Sequence, residues 1–390
     1  MIRNSKRLGL RSSFTLAEFA LASVIGLFLL AACGAREFNP DAGWSGVIDG
    51  GDVVYVGTMD RQVIALDAEN GLLQASFPAE PDGEYETFRA IYGTPALVDG
   101  RIYVGGFNGK VYALDAQSLE SAFAGAVFDV ESDQLSKGVI GAVAVEEGRV
   151  VFGAAEDSES GRLYVLDAED FREVCRFPAR SADPIGKVWS TPAIVDGVAY
   201  FGDLAHRFYA VAIDDCSLQW AAPVELAGGI ASTPLVQDGT VYIGSFDRSF
   251  YAIDLATGAA RVLFKAGSWF WSGVVTDGRT LFVPNLDGKL YAMDLATESV
   301  VWEFDTEGAI LSTPVLVGDQ VVVASDSGQL SVVDAASGVE VWSRQLSGQV
   351  RAPLMARGSV VYLSTLDHKI EAIDVVLGRA RWSEPASTKR

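Results

Sequence analysis

The chain has 390 residues, 49% of them hydrophobic, with 51 acidic against 30 basic side chains and a net charge of −21. That apolar content is enough for a large buried core. The acid excess excludes a nucleic-acid binder, whose surface must be basic to collect phosphates. With only two histidines, His206 and His368, His-rich metal sites and His-based acid–base machinery are scarce on arithmetic alone.

The N-terminus opens with Arg3, Lys6, Arg7 and Arg11, followed from Phe19 by the apolar run "FALASVIGLFLLAAC". Such a run is too short to span a bilayer as a lasting helix and reads as a signal. Leu30-Ala31-Ala32-Cys33 resembles the lipobox of bacterial lipoproteins. That resemblance implies removal of residues 1–32, a diacylglycerol on the Cys33 sulfur and an acyl chain on its new amine. Two or three chains give a stable membrane anchor, where one does not. The alternative is an ordinary secretory signal that ends near a cysteine. Cleavage would leave a net charge of −24, with residues 33–43 as the lipidated start and tether. Lipoproteins kept in the inner membrane tend to carry aspartate after the lipidated cysteine. Gly34 stands there, which implies the outer membrane, facing the periplasm, in a two-membrane cell.

From about Trp44 the chain repeats one phrase, a short apolar run ending in aspartate, at Asp67, Asp115, Asp167, Asp214, Asp254, Asp294, Asp334 and Asp374. The intervals are 48, 52, 47, 40, 40, 40 and 40. Equal steps of this kind mark a repeat architecture. Each unit holds a short strand closed by a turn ("STPAIVDG", 190–197) and a strand alternating large and small residues ("VYIGSF", 241–246). A tight hairpin follows, often Asn-Gly or Asp-Gly, then two more strands ("KLYAMD" and "SVVWEF"). Four antiparallel strands per unit and eight units predict an all-β, eight-bladed propeller over residues 44–386, with 387–390 as a tail.

The residues carry a narrower resemblance. "AMDLATESVVW" (292–302), "VVDAASGVEVW" (332–342) and "AIDVVLGRARW" (372–382) resemble the tryptophan-docking repeat of propellers related to pyrroloquinoline-quinone dehydrogenases. In that family the aspartate ties the turn between the last two strands, and the tryptophan wedges against the next blade's turn. The resemblance therefore assigns Trp302, Trp342 and Trp382, and the eight aspartates, to blade docking rather than catalysis. The tryptophan position holds Ala75, Phe123, Cys175 and Val262 in blades 1, 2, 3 and 5. Blade 4, read from Asp214, is about two residues short and carries Cys216 in its turn. The family's packing implies a Cys175–Cys216 disulfide in place of the aromatic wedge, in an oxidising compartment. Two unconnected thiols are the alternative.

In a propeller the connections between blades and the hairpins between the second and third strands share one face. Those hairpins carry Arg61, Lys110, Arg162, Arg207, Arg248, Lys289 and Lys369, and the opposite face carries the repeat aspartates with Asp99, Asp196, Asp238 and Asp277. This predicts a molecule polarised from face to face. The longest connections, 77–93, 128–141 and 177–190, vary most, and variable loops on a rigid scaffold are where binding concentrates. Trp269 and Trp271 flank Phe270 near an inner strand, while Arg89, Lys187, Trp189 and Arg351 lie at comparable places. These six form the candidate partner face, at the mouth of the central channel.

Quinoprotein dehydrogenases of this fold, as the resemblance implies, hold a quinone and a calcium ion and commonly use adjacent cysteines. The present chain has no Cys-Cys pair, no matching calcium-ligand set, no G-x-S-x-G and no C-x-x-C. The expectation is a non-enzymatic monomer with neither quinone nor metal. Lipobox, eight units and docking repeats together resemble the BamB family, lipoproteins that assist outer-membrane β-barrel assembly. That resemblance implies an envelope protein as partner. A propeller that binds a small molecule or polysaccharide in the envelope is the alternative. In BamB-type proteins the N-terminal segment supplies the last blade's outer strand, whereas "GRARWS" (378–383) predicts that this chain's last unit owns it.

Overall fold

Every unit contains two strands that are buried on both faces, such as Arg101–Gly105 with Lys110–Asp115. A strand of that kind must lie between layers, so no unit can bury itself alone. The computed structural model describes residues 43–79, 87–130, 138–180 and 183–385, all β among the described residues. The signal, Cys33, the tether and the tail lie outside them. Eight antiparallel sheets follow one another at 47–77, 96–129, 144–177, 193–225, 235–265, 275–305, 315–345 and 355–385, each with its strands in chain order. These are blades 1 to 8, with strands A (inner) to D (outer). Blade 3 gains a short fifth strand, Ile185–Gly186, paired with Ser160–Gly161. Blade 8 uses its own D strand, Arg379–Pro385.

The seams between blades repeat one device. In each C–D turn, the fourth residue after the anchor position takes a positive φ: Gly71, Leu119, Phe171, Cys216, Gly258, Glu298, Gly338 and Gly378. In most seams the eighth residue of the preceding blade meets it; Gly378, after Trp342, instead has open space at its Cβ position. Where that residue is tryptophan, glycine stands opposite. Trp220 lies on Gly258, Trp302 on Gly338 and Trp382 on Gly71, where an added Cβ would sit 2.6–3.0 Å from the indole. Only glycine gives both the left-handed turn and the clearance. Each indole Nε1 then donates to a carbonyl of the next turn: Trp220 to Leu255, Trp302 to Ala335, Trp342 to Val375 and Trp382 to Ala68, at 2.8–3.1 Å. The remaining seams trade a smaller eighth residue for a larger fourth one. Ala75 packs in one cluster with Leu119, Phe123 meets Phe171 edge-on at 5.7 Å, and Cys175 is bonded to Cys216.

Blade 4 corrects the repeat register. Its turn closes with Cys216 N donating to Ala212 O, as Gly71 N donates to Asp67 O in blade 1. The anchor is therefore Ala212. Asp214 lies two residues further on, exposed, and holds no docking turn. Counted from Ala212 the unit is full length and Trp220 falls at its eighth position, so this blade has a wedge that the Asp214 alignment hid.

The aspartates that do sit at anchors clamp their turns. Asp294 Oδ1 accepts from Ala296 N, Thr297 N and the Thr297 hydroxyl at 2.8–3.1 Å. Those hydrogen bonds, led by the Thr297 N–H, hold its carboxyl below the usual carboxylate range.

Candidate functional site

The connections between blades build the mouth of the channel by a three-residue rule. The first residue is apolar and buried, and packs on a glycine of the preceding blade's B strand. Ile91 packs on Gly57, Val139 on Gly105, Val188 on Gly153, Ile230 on Gly202 and Phe270 on Gly244, and a Cβ at any of these glycines would fall 2.1–2.6 Å from that side chain. The third residue is often a buried serine that donates to the B strand of its own blade, as Ser190 does to Gly202 O and Ser232 to Gly244 O, at 2.9 and 2.8 Å. The second residue, held between them, is left partly exposed toward the axis except in blade 2, where it is buried. In blade order it is Trp44, Tyr92, Ile140, Trp189, Ala231, Trp271, Leu311 and Arg351.

B–C turns complete the rim. The N–H of each turn's second residue donates to the connection that enters its own blade: Phe107 to Ala90, Leu204 to Lys187, Phe246 to Gly229, Leu286 to Trp269, Asp326 to Ala309. Phe107, Phe246 and Asp326 are thereby fixed beside the ring.

Two aromatic arcs result. In the first, Arg351 is held by both oxygens of Asp326 (2.7 and 3.3 Å) and lies over Trp44, 5.3 Å from its centroid. Trp44 meets Tyr92 edge-on at 4.8 Å, Tyr92 meets Phe107 at 5.5 Å, and Arg89 caps Phe107. In the second arc Lys187 lies over Trp189, and Trp189 contacts Trp271 at 6.3 Å. Trp271 stacks on Phe246, which stacks on Trp269. Trp189 and Trp271 belong to blades 4 and 6. They meet on the axis side of blade 5 because its ring residue is only Ala231. All six predicted residues thus stand at the mouth, Arg351 and Arg89 in one arc and Lys187, Trp189, Trp271 and Trp269 in the other. Trp269 remains 49% exposed, and Trp189 Nε1 is buried with no hydrogen-bond acceptor among the described residues.

Trp44, Tyr92, Phe107 and Phe246 escape the sequence reading. A signal for the first exists, since "WSG" occurs at Trp44 as it does at Trp271. Phe107 and Phe246 have none, because turn-tip residues join the ring only through backbone bonds to the connection that enters their blade.

The expected basic face is weakened by local pairing at four of its seven hairpins. Hairpin cations pair with acids of their own blades: Arg162 with Glu156 and Arg207 with Asp203, both at 3.3 Å, and Lys369 with Asp367 at 3.3 Å; Lys289 reaches Glu303 at 2.6 Å. Carboxylates of these hairpins also serve the tyrosines beneath them. Tyr209 donates to Asp203 at 2.8 Å, Tyr251 to Asp247 and Tyr291 to Asp287 at 2.6 Å. Burial, then the neighbouring carboxylate, pushes the Tyr209 hydroxyl far above its ordinary range, so it stays a donor. Among the described residues no group of three or more His, Cys, Asp or Glu gathers to hold an ion. The ring position offers three tryptophans, a tyrosine, three aliphatics and an arginine, a donor set that does not fit calcium, which needs several oxygens.

Comparison with known proteins gives a family and a fold. The family described as outer membrane protein assembly factor BamB matches residues 42–126, 132–304 and 300–390. BamB from Moraxella catarrhalis superposes with a TM-score of 0.65 at 18% identity, covering 82% of this chain and 93% of that one. The quinohemoprotein alcohol dehydrogenase of Comamonas testosteroni gives 0.67 at 14% identity, covering 83% and 70%. In sequence, the quinohemoprotein alcohol dehydrogenase ADH IIB of Pseudomonas putida is 37% identical over 99 residues, 23% of this chain. The chain spans only 13% of that relative's length.

Proposed function

The chain belongs to the family of the outer membrane protein assembly factor BamB, and from that premise we propose a non-enzymatic binding platform, anchored at Cys33 outside the cytoplasm. Its docking surface is the aromatic mouth. The observation that carries this reading is the second arc. Trp269 presents half its surface to solvent on a stacked base of Phe246 and Trp271, with a lysine at the arc's other end. A large, rigid, amphipathic ring of this kind gives contact area at little entropic cost and is characteristic of binding anchors. The partner is an envelope protein, and membership of the BamB family favours a component of the β-barrel assembly machinery in the outer membrane.

A photo-crosslinking amino acid at position 269, activated in intact cells and followed by mass spectrometry, tests the reading. One dominant envelope adduct, lost when Trp271→Ala is added, supports it. Absence of any discrete adduct overturns it. A Cys33→Ser variant that still incorporates an alkyne-labelled fatty acid would remove the anchor.

A second reading rests on the local likeness to a quinohemoprotein alcohol dehydrogenase. Incubation with pyrroloquinoline quinone and calcium, then a dye-reduction assay with primary alcohols, separates the two. Turnover there would displace the platform.

A further inference from the structure

Among the described residues eleven large hydrophobic side chains are exposed, and seven of them lie on the C–D side of blades 6, 7, 8 and 1. The densest part spans the ring closure: Val339 and Val341 on blade 7, Val376 and Leu377 on blade 8, Leu72 and Leu73 on blade 1, each between 50% and 67% exposed. Docking keeps them on neighbouring turns. The blade 8 turn sits on Trp342 through Val375 O, and the blade 1 turn sits on Trp382 through Ala68 O.

Leu377 departs from a local rule. In blades 5, 6 and 7 that position is Thr257, Thr297 and Ser337, whose hydroxyls donate to the anchor aspartate at 2.6–3.0 Å. Leu377 offers Asp374 only its N–H, at 3.1 Å. Blade 8 gives up a hydrogen bond and puts two aliphatics into water, with no gain in its own packing. Contiguous exposed apolar surface of this kind marks an interaction site; Asp374 takes a bond from Arg381 at 2.9 Å in place of the missing hydroxyl, which holds the turn but leaves both aliphatics uncovered.

Charge selects the occupant. The A–B and C–D turns of blades 7, 8 and 1, with their flanking residues, carry eight carboxylates and three arginines. Two of the arginines are already paired, Arg357 with Asp49 and Arg381 with Asp374. A second copy of a chain at −21, or an anionic bilayer, meets repulsion here; a cation meets complementary potential. We propose that this rim is a second docking surface, on the face opposite the mouth, for a cationic amphipathic segment of a protein partner.

The test uses a fluorescent synthetic peptide of about 18 residues with leucine on one helical face and lysine on the other. A second peptide has glutamate for every lysine. Binding to the whole protein is followed by anisotropy. The Leu72→Ser/Leu73→Ser/Val376→Ser/Leu377→Thr variant should lose about tenfold or more in affinity, while Trp269→Ala leaves binding unchanged. Failure here with a mouth adduct intact therefore leaves the platform standing. Leu377→Thr alone restores the hydroxyl bond to Asp374, so it should raise the melting temperature while weakening binding, which separates docking from folding. Equal affinity of the quadruple variant, equal binding of the glutamate peptide, or self-association that the same substitutions abolish would each overturn the proposal.

Discussion

The seam between blades 6 and 7 and the seam between blades 5 and 6 solve the same problem with different success. At the first, Trp302 lies on Gly338 and donates to Ala335 O at 3.1 Å. At the second, the wedge is Val262, 47% exposed, and the residue opposite is Glu298, tied by an ion pair to Arg261. The difference shows that docking is a property of pairs. At three of the four wedges the tryptophan needs a glycine's clearance, and at all four it faces a glycine in the left-handed conformation. Without the ring, the turn accepts leucine, phenylalanine, cysteine or glutamate at a strained φ, and an exposed ion pair adds little.

If the wedge carries the seam, the largest loss should come from Trp382→Ala. That ring is buried, closes blade 8 on blade 1 and donates to Ala68 O. Truncating a buried aromatic costs about 3–5 kcal/mol, and here it also removes one of the two hydrogen bonds to Ala68 O, the other coming from the Tyr362 hydroxyl. Thermal unfolding should shift down by several degrees. A shift no larger than that of Val262→Ala would break the comparison, because wedge and non-wedge seams would then be equal.

The disulfide seam ranks next. Cys175 and Cys216 occupy the wedge position and the turn position of adjacent blades, 41 residues apart. Such a link contributes about 2–4 kcal/mol. A Cys175→Ser/Cys216→Ser variant should melt lower than the oxidised protein and show no further response to reductant. Intact mass with and without reductant checks the bond itself, and two free thiols in exported protein would remove it.

Most of this scaffold is legible in the sequence, because close packing in a ring forces the same residue type into the same place eight times. Seven anchor aspartates, three wedges and the cysteine pair fall into line on the repeat. Blade 4 misleads because Val211-Ala212-Ile213-Asp214 imitates the anchor phrase two residues late, and only the backbone bond from Cys216 to Ala212 shows which residue closes the turn. The mouth is half legible. Connection residues such as Trp189, Trp271 and Arg351 can be aligned, whereas Phe246 arrives through a hydrogen bond it donates to Gly229 O in the connection entering its own blade. The hairpin cations mislead too, since local pairing with Glu156, Asp203 and Asp367 cancels a charge that the bare residue types leave standing.

A smaller effect is expected at the inner layer between blades 7 and 8. The residue three before the anchor is tyrosine in blades 2 to 6, and there it commonly packs on a phenylalanine of the preceding blade, as Tyr291 does on Phe264 at 5.2 Å. Blade 8 has Glu371 instead, 4% exposed. Burial pushes its carboxyl up, against a downward pull from Arg344 and Lys369. A raised folded pKa means the folded state holds the proton more tightly. Its stabilising contribution is complete below the unfolded value and fades as pH rises through the folded one. Glu371→Gln should therefore stabilise at neutral pH by about 1 kcal/mol, and its advantage should shrink on acidification. An advantage that grows toward low pH would show that the pull of Arg344 prevails.

The smallest change sharpens the opening contrast by conversion. Val262→Trp with Glu298→Gly would give the seam between blades 5 and 6 the pair found at its neighbour. An indole laid on the new glycine covers apolar surface at about 25 cal/mol per Å², but the swap also loses the Arg261 ion pair and introduces a flexible glycine. The net gain expected is about 1 kcal/mol, reported by a rise in melting temperature. Either substitution alone should be neutral or worse, because tryptophan over Glu298 has no clearance, and a glycine introduced beneath Val262 leaves a gap. Additive single effects in that double-mutant cycle would show that ring and glycine act independently, and pairwise docking would then fail at the one seam where it can be built from nothing.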